Sequence, residues 1–396
     1  MRIRSVTVFI NAGDPATQLD AVRQAGQAAA EIRGALQAAG FEVQTMRLAT
    51  QPLSDLPGDP LVLAPELAAQ STAAGFEYVS LGPVLADDPR ADLSPLASIP
   101  ALIRASEVVF ANVLVARHGG RINLAAIRQT AGIIREIAHT TDLGFGNLRL
   151  AVLANVGPHA PFFPAAYHDG GPPAVGIATE AADLAVDAFA GDGSLERARE
   201  RLVGLIEQGA AKIVGAVQPL TEARGYRFAG IDFSLAPFPE QARSIGAAVE
   251  RLGVERFGAP GTLFASTLLT DCLRQARYPR CGFNGLMLPV LEDAVLAARS
   301  RENLFTVNDL LLYSAVCGTG LDTIPLPGDV GGEELAGILL DVAALAVRLD
   351  KPLTARLMPV PGARAGDPTA FDFSYFVNGQ VLAIKGRGSQ GLFERG

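Results

Sequence analysis

The sequence predicts an α/β protein that forms a single large domain on a mostly parallel sheet. Apolar segments short enough for buried strands alternate with longer segments of helical periodicity along almost the whole chain. Hydrophobic residues make up 49% of the 396 residues, which suffices for an extensive core. No shift in composition marks a linker and no repeat of fixed period occurs. We therefore expect one unit, with its sheet either open or closed into a barrel.

The predicted strands are short apolar runs bounded by turn residues. Ile3, Val6, Val8 and Ile10 mark the first, and an Ala-rich helix that ends at Gly40 separates it from the second. This strand–helix–strand order is typical of parallel crossovers. The other predicted strands cover residues 41–48, 76–81, 108–115, 148–156, 175–178, 226–233 and 353–360, followed by extended chain at 371–381.

The predicted helices lie between these strands. Pro95 at a first helical position and Ser194 before Leu195 are N-terminal signals. Helices are expected at 94–105, 124–139, 195–221, 240–252, 262–276, 291–299, 307–316 and 333–349, with a proline-rich connection at 52–65 and a turn or short strand at 281–288. The domain is expected to span residues 1–385, and the polar, Gly-rich tail at 386–396 to be flexible.

Charge and cysteine content restrict the partners. A net charge of −8 argues against a nucleic-acid or anionic-membrane partner. The three cysteines form no CxxC pair and no zinc spacing, which fits a reducing cytoplasm. No apolar run reaches membrane-spanning length, and the N-terminus reads as a strand and not as a signal peptide. The expected partner is a small molecule; the cofactor and the oligomeric state, a homo-oligomer among the alternatives, stay open.

The stretch at 311–329 is the strongest candidate for a site. A helical run ends at Cys317, and Thr319, Asp322 and Asp329 follow among glycines and prolines. Such a loop can hold a thiol, a hydroxyl and two carboxylates in fixed positions. The alternative is a C-cap glycine and a turn, with a buried, inert Cys317.

Three further positions carry candidate chemistry. His168 beside Asp169 suits a general base, and Asp232 with Ser234 suits ligand hydroxyls or a cation, although a helix cap is the alternative. Arg356 lies in an apolar strand and needs an anionic partner, either a protein carboxylate or a ligand. We expect Asp232, Cys317 and Asp322 to line one cavity.

No established nucleotide or metal motif accompanies these residues. The chain has no Walker loop, no GxGxxG after the first strand, no GxSxG elbow and no HxxxH or HxH spacing. No metal ligand set is therefore assigned, although Asp232, Asp322 and Asp329 together suit an oxygen-ligated cation.

Four segments contain proline together with glycine, an acidic residue or both in a specific order: GIDFSLAP (230–237), CGTGLDTIPLPGD (317–329), DKPL (350–353) and PVPG (359–362). With Arg356 and the aromatic run FDFSYF (371–376), they resemble domain-of-unknown-function family 711, an uncharacterised bacterial and archaeal group. This family is similar in fold to pyruvate formate-lyase-like glycyl-radical enzymes. The resemblance covers nearly the whole chain.

The resemblance implies a ten-stranded α/β barrel of two parallel five-stranded halves with the site inside. It does not imply radical chemistry. Glycyl-radical enzymes carry their glycine in a late Arg-Val-Ser-Gly-Tyr-like segment, and the nearest match, AVCGT at 315–319, lacks the arginine and the tyrosine.

We therefore expect a cytoplasmic enzyme acting on a small polar or anionic metabolite in the barrel interior. Cys317, Asp322 and His168 are the catalytic candidates, and Arg356 is expected to hold an anion and to lower the pKa of Cys317. The expected ligand-binding residues are Asp232, Ser234, Thr319, Asp329 and Arg356. The alternative is a non-catalytic metabolite-binding or regulatory protein on an enzyme-derived scaffold.

Overall fold

The structure, a computed structural model, describes residues 1–12, 15–191, 193–386 and 388–394. Its strands are β1 (Arg2–Phe9), β2 (Val43–Ala49), β3 (Tyr78–Ser80), β4 (Val84–Leu85), β5 (Val109–Ala116), β6 (Leu150–Ala154), β7 (Ala174–Glu180), β8 (Arg227–Asp232), β9 (Gly320–Pro327) and β10 (Leu353–Val360). The larger helices are α1 (Pro15–Ala38), α2 (Pro60–Ala73), α3 (Ile99–Ala105), α4 (Leu124–Thr140), α5 (Ala182–Ala188), α6 (Leu195–Ala223), α7 (Ile245–Arg251), α8 (Thr262–Gln275), α9 (Ala294–Arg301), α10 (Val307–Ser314), α11 (Gly332–Leu349) and α12 (Gln390–Phe393).

The strands form one sheet, in which a central parallel group is flanked on one side by the parallel pair β7 and β8 and on the other by the parallel pair β10 and β9. Along the sheet the order is β8-β7-β1-β2-β3-β5-β6-β10-β9. β1, β2, β3, β5 and β6 are mutually parallel, whereas β7 runs antiparallel to β1 and β10 antiparallel to β6. β3 and β4 both pair with β5 in successive register, so they occupy one interrupted strand position. The predicted single α/β unit with a mostly parallel sheet is confirmed.

Residues 280–289 take the place of a tenth strand position between the edges β8 and β9. Isolated parallel bridges join Ile231 with Arg280 and Leu235 with Leu286 on one side, and Pro289 with Asp322 on the other. The two edges are thus joined by isolated bridges and not by a regular ladder. This is the segment that the sequence predicted as a turn or short strand.

The structure adds β4 and α5 to the predicted elements and corrects two predicted segments. Residues 52–65 are not only a connection, because α2 begins at Pro60 behind the cap of Asp59, whose carboxylate accepts from the Leu61 amide at 2.9 Å. A proline at the first helical position loses no intrahelical bond, so it starts this helix. The predicted loop at 317–329 contains β9, since Leu321, Ile324 and Leu326 are fully buried against β10 and the outer helices.

The helices lie outside the sheet, and a loop fills part of its interior. Outward-facing residues such as Val6 and Val8 join the main core with the helices. Residues 157–168, after β6, run into the barrel, where Ser5 and Thr7 donate to the Pro161 carbonyl and Asn112 donates to the Pro164 carbonyl. Inward polar side chains of the strands therefore hold this loop, which forms the floor of the cavity described below.

The predicted N-cap of Ser194 is confirmed, because its side chain accepts from the Arg197 amide. In the predicted tail at 386–396, α12 buries Phe393, and Arg128 lies over its ring at 5.7 Å. Residues 387, 395 and 396 lie outside the described residues, and the flexibility of the tail stays a prediction.

Candidate functional site

A cavity of about 400 Å³ lies inside the barrel above the 157–168 loop. Strands of the sheet and the C-terminal aromatic run line it. Its polar end contains Arg4, Thr45, Arg47, Glu292, Thr319, Asp322 and Arg356, and much of the remaining wall is aromatic. The volume falls in the range of pockets for small metabolites.

A bulge in β1 turns Arg4 into this cavity. Ile3 pairs with Thr179 of β7, but Ser5 pairs with Ala178, so β1 advances by two residues where β7 advances by one. Ile3, Val6 and Val8 all join the outer core, which shows that the alternation of faces changes phase between residues 3 and 6. Because a bulge redirects side chains, both Arg4 and Ser5 face the interior.

Glu292 lies between two arginines at the polar end. Its Oε2 accepts from Arg4 Nη2 at 2.5 Å and its Oε1 from Arg356 Nη2 at 2.8 Å. Arg356 Nε also donates to Asp322 Oδ1 at 2.6 Å, and Arg4 Nη1 reaches Glu180 at 3.4 Å. The result is a chain of alternating charges, Asp322–Arg356–Glu292–Arg4–Glu180, in which each arginine is shared by two carboxylates.

An irregularity in β9 places Asp322 at the cavity end of this chain. Ala355 pairs with Leu321 and Leu357 with Ile324, so β9 carries one additional residue opposite Arg356. The backbone accommodates this additional residue at Thr323, whose φ of 44° is a left-handed conformation that β-branched residues seldom adopt. Strain of this kind persists where the surroundings fix it, and it collects at functional sites.

Arg47 differs from Arg4 and Arg356 because it has no carboxylate partner among the described residues. A fourth arginine of the lining, Arg149, is half-buried and donates to the Ser106 carbonyl. It is 7% exposed, and its Nε donates to Thr45 Oγ1 at 2.9 Å. Its guanidinium lies over the rings of Tyr78 and Phe163 at 5.8 and 5.2 Å. In the described part of the chain, neither Nη nitrogen has a hydrogen-bond partner, and both belong to a side chain that lines the cavity.

Burial and neighbouring charges set the protonation of these groups. Burial, reinforced by the charge of Arg4, lowers the pKa of Arg47 to about 9. Burial also raises the pKa of Asp322, and the charge of Glu292 adds to this rise while Arg356 opposes it. For Glu292, burial would raise the pKa, but the attraction of Arg356 and Arg4 outweighs it and the pKa is lowered. Burial therefore shifts Asp322 toward its protonated form, whereas the two arginines hold Glu292 in its charged form.

Three of the predicted site residues line the cavity: Asp322, Arg356 and Thr319. Arg356 holds protein carboxylates, which is one of the two alternatives that its sequence position allowed. Cys317 is not among the lining residues and is 1% exposed. Arg356 pairs with Asp322 and Glu292, so the expected action of Arg356 on the Cys317 thiol finds no contact to support it.

The glycines around Cys317 have a packing role. A Cβ on Gly318 would lie 2.4 Å from the Cα of Gly285, so the motif brings its backbone directly against the 280–289 segment. Lys351 Nζ donates to the carbonyls of Ser314, Ala315 and Cys317 at the end of α10. These contacts fix the turn into β9, and they explain the motif without a reactive thiol.

Asp232 and Ser234 hold a loop and do not line the cavity. The Asp232 carboxylate accepts from Ser234 Oγ at 2.6 Å and from the amides of Phe283 and Asn284 at 2.7 and 2.9 Å. Burial outweighs these hydrogen bonds and raises the pKa of Asp232 to about 6. Both residues thus anchor the segment that joins the edges of the sheet. Asp329 is exposed at the end of β9, away from the cavity lining.

His168 lies on the other side of the loop with His159 and Asp169. Ligand atoms of these three residues lie within 4.8 Å of one another, a spacing that a metal ion can bridge. However, His168 Nδ1 accepts from the Gly170 amide, so Nε2 carries the proton and faces the Pro172 carbonyl at 3.1 Å. Arg227 Nη2 also lies 2.9 Å from His159 Nδ1. Backbone contacts and a neighbouring cation therefore oppose both a metal and a catalytic His168.

Sequence reasoning missed Arg4, Arg47 and Glu292. The first two carry the same signal that identified Arg356, a charged residue within an apolar strand. Glu292 gives no such signal, because it lies in a turn directly before the N-cap of α9. Only the folded chain brings it between two arginines.

Comparison with known proteins gives a family. The family model described as "Uncharacterised ACR (DUF711)" matches residues 1–374. A UPF0210 protein of Pyrobaculum arsenaticum is 38% identical over 263 residues, covering 62% of this chain and 56% of the relative. One of Methanopyrus kandleri is 34% identical over 78% of this chain and 70% of its own, and one of Listeria innocua is 29% identical over 90% and 83%. The match thus spans little more than half of the Pyrobaculum relative.

Among solved structures, the anaerobic ribonucleotide reductase of Thermotoga maritima with citrate in its active site is similar over 90% of this chain and 79% of that chain, at a TM-score of 0.39 and 12% identity. In the part of this chain that the structure describes, no helix combines the length and apolar character needed to cross a bilayer. Because the family model matches almost the entire sequence, the chain belongs to the DUF711 family.

Proposed function

We propose that the protein is an enzyme that binds a small anionic metabolite inside the barrel and acts on it by proton transfer. The observation that supports this proposal most strongly is Arg47, a buried cation that lines the cavity without a carboxylate partner among the described residues. A buried charge of this kind is unfavourable unless an anion approaches it. The ligand's anionic group is therefore placed on Arg47.

Asp322 is the proposed proton carrier. Only its Oδ1 is engaged, by Arg356, and within the described residues Oδ2 has no hydrogen-bond partner. Its raised pKa brings protonation closer to neutral pH, as general acid–base catalysis requires. Arg356 and Glu292 hold the carboxylate in place, and Thr319 supports the same wall. This role for Asp322 needs no thiol, which agrees with the positions of the three cysteines outside the cavity lining.

A second candidate is a non-catalytic metabolite-binding protein. It is favoured by the ion-pair chain itself, because each arginine of the chain is held by two carboxylates and the polar end is fixed. A rigid, pre-organised charge pattern also suits selective binding.

The two functions are separated by incubating the protein with a macromolecule-free cell extract and following anionic metabolites by mass spectrometry. An enzyme should consume one anion, and Asp322→Asn should abolish consumption while the anion still co-purifies with the protein. A binder should retain an anion without consuming any. Arg47→Gln should lose the anion in both cases, whereas the exposed Arg364→Gln should behave as wild type. Retention of the anion by Arg47→Gln would refute the proposed site.

A further inference from the structure

The cavity lining also indicates the chemical nature of the part of the ligand beyond its anionic group, an inference that rests on the proposed anion site. Of its 28 lining residues, eight are aromatic, although aromatic residues make up 6% of the chain. The sheet interior therefore concentrates ring surfaces around the polar end, and the ligand that fits them must present apolar area next to its charge.

Six of the aromatic side chains form two groups, one beside Arg47 and one at the C-terminal run. Beside Arg47, the rings of Tyr78, Phe110 and Phe163 meet edge to face at 5.1 and 5.3 Å. At the C-terminal run, Phe373 contacts Phe145 at 5.2 Å and Tyr375 at 5.3 Å. Phe373 and Tyr375 are half-buried, so their exposed ring surface is available to a ligand.

The guanidinium of Arg47 selects among anions. Its Nε is occupied by Thr45 Oγ1, which fixes the plane of the group and leaves both Nη nitrogens for a ligand. Two parallel N–H donors match the two oxygens of a carboxylate. Arg4 and Arg356 are already shared by carboxylates, and Arg149, the fourth arginine of the lining, donates to the Ser106 carbonyl and lies near the charge of Glu107. A second negative charge on the ligand would therefore find no cation as free of partners as Arg47. A phosphate dianion is correspondingly less suited.

We propose that the cavity takes a monocarboxylate with an aromatic or similarly flat apolar body, its carboxylate paired with Arg47 and its body between Phe163 and Phe373. The two requirements are independent, because one depends on a cation at the polar end and the other on ring surface along the wall. Each can be removed by a separate substitution.

Calorimetric titration with four probes tests this: phenylacetate, acetate, 2-phenylethanol and inorganic phosphate. Phenylacetate should bind at least about 10-fold more tightly than each of the other three. Arg47→Gln should weaken the binding of phenylacetate by about 10-fold or more. Arg47→Lys should weaken it less, because lysine keeps the charge but lacks the paired N–H donors of the guanidinium. Phe373→Leu should weaken the binding of phenylacetate several-fold and leave the binding of acetate unchanged.

The outcomes separate this inference from the proposed function. Acetate or phosphate binding as tightly as phenylacetate, and depending on Arg47, would overturn the ligand class and leave the anion site standing. If 2-phenylethanol binds as tightly as phenylacetate, or if Arg47→Gln has no effect, the anion site fails as well. A lack of phenylacetate binding up to millimolar concentration would also overturn the ligand class. Circular dichroism of each variant shows whether it is folded.

Discussion

Asp232 and Asp322 are both acidic residues that the sequence indicates as site residues, yet Asp232 is fully buried whereas the side chain of Asp322 is 14% exposed. Asp232 uses both oxygens to accept from a serine hydroxyl and two backbone amides. Asp322 uses one oxygen for Arg356 and lines the cavity with its carboxylate. Residue type therefore does not separate a structural carboxylate from one that can bind a ligand. The separation depends on whether the second oxygen already has a partner.

The largest loss of stability is expected when Arg356, the charged partner of Asp322, is replaced. Arg356→Met removes the cation shared by Asp322 and Glu292. Glu292 keeps Arg4, but Asp322 is left without a cation, so we expect the free energy of unfolding to fall by about 3–5 kcal/mol. Urea denaturation measures it. The exposed Arg364→Met is the control and should change stability by less than about 0.5 kcal/mol. A loss in Arg356→Met no larger than in the control would mean that the ion pairs do not stabilise the barrel.

On the structural side, Asp232→Asn should lower the free energy of unfolding by about 1–3 kcal/mol, because an amide group cannot accept from every donor that now surrounds the carboxylate. Activity per folded molecule should be unchanged. A variant that is as stable as wild type but inactive would reverse the roles assigned to the two aspartates.

The pH dependence of stability gives a finer test. The pKa of Asp232 is about 6 in the folded state, above the value near 4 that is usual for an unfolded chain. Between about pH 4 and 6 the folded state therefore binds more protons than the unfolded state, and the contribution of Asp232 to stability falls as pH rises. The stability of wild type relative to Asp232→Asn should decrease over this interval and be constant above it. A constant difference from pH 4 to 7 in urea denaturation would contradict the raised pKa.

The smallest effect on stability is expected at Asp322 itself. In Asp322→Asn the amide oxygen can still accept from Arg356 Nε, and Arg356 keeps Glu292, so the change should stay within about 1 kcal/mol. Turnover of the anionic metabolite should be lost nevertheless, because an amide carries no proton to exchange. Full turnover in this variant would remove Asp322 from the mechanism and favour either another group or the binding-protein alternative.

The sequence by itself determined the class of fold and the position of most elements. Short apolar runs such as 108–115 and long periodic runs such as 195–221 carry their structure in local pattern, because burial of one face needs a fixed repeat. Motif resemblance identified the family and implied a barrel; the structure has one sheet whose edge strands β8 and β9 are joined through residues 280–289 by isolated bridges. It also indicated Arg356, since a charge inside an apolar strand requires a partner wherever the strand lies.

Tertiary structure alone decided which residues form the cavity. Bulges in β1 and β9 turn Arg4 and Asp322 inward, and such one-residue changes of phase leave no reliable mark in a sequence. Glu292 lies in a turn, and only the closeness of β1 and β10 to that turn places it between two arginines. For Cys317 and Asp232 the sequence offered both a functional and a structural interpretation. The folded chain supports the structural one, because backbone groups and close packing already occupy the positions where a ligand would bind.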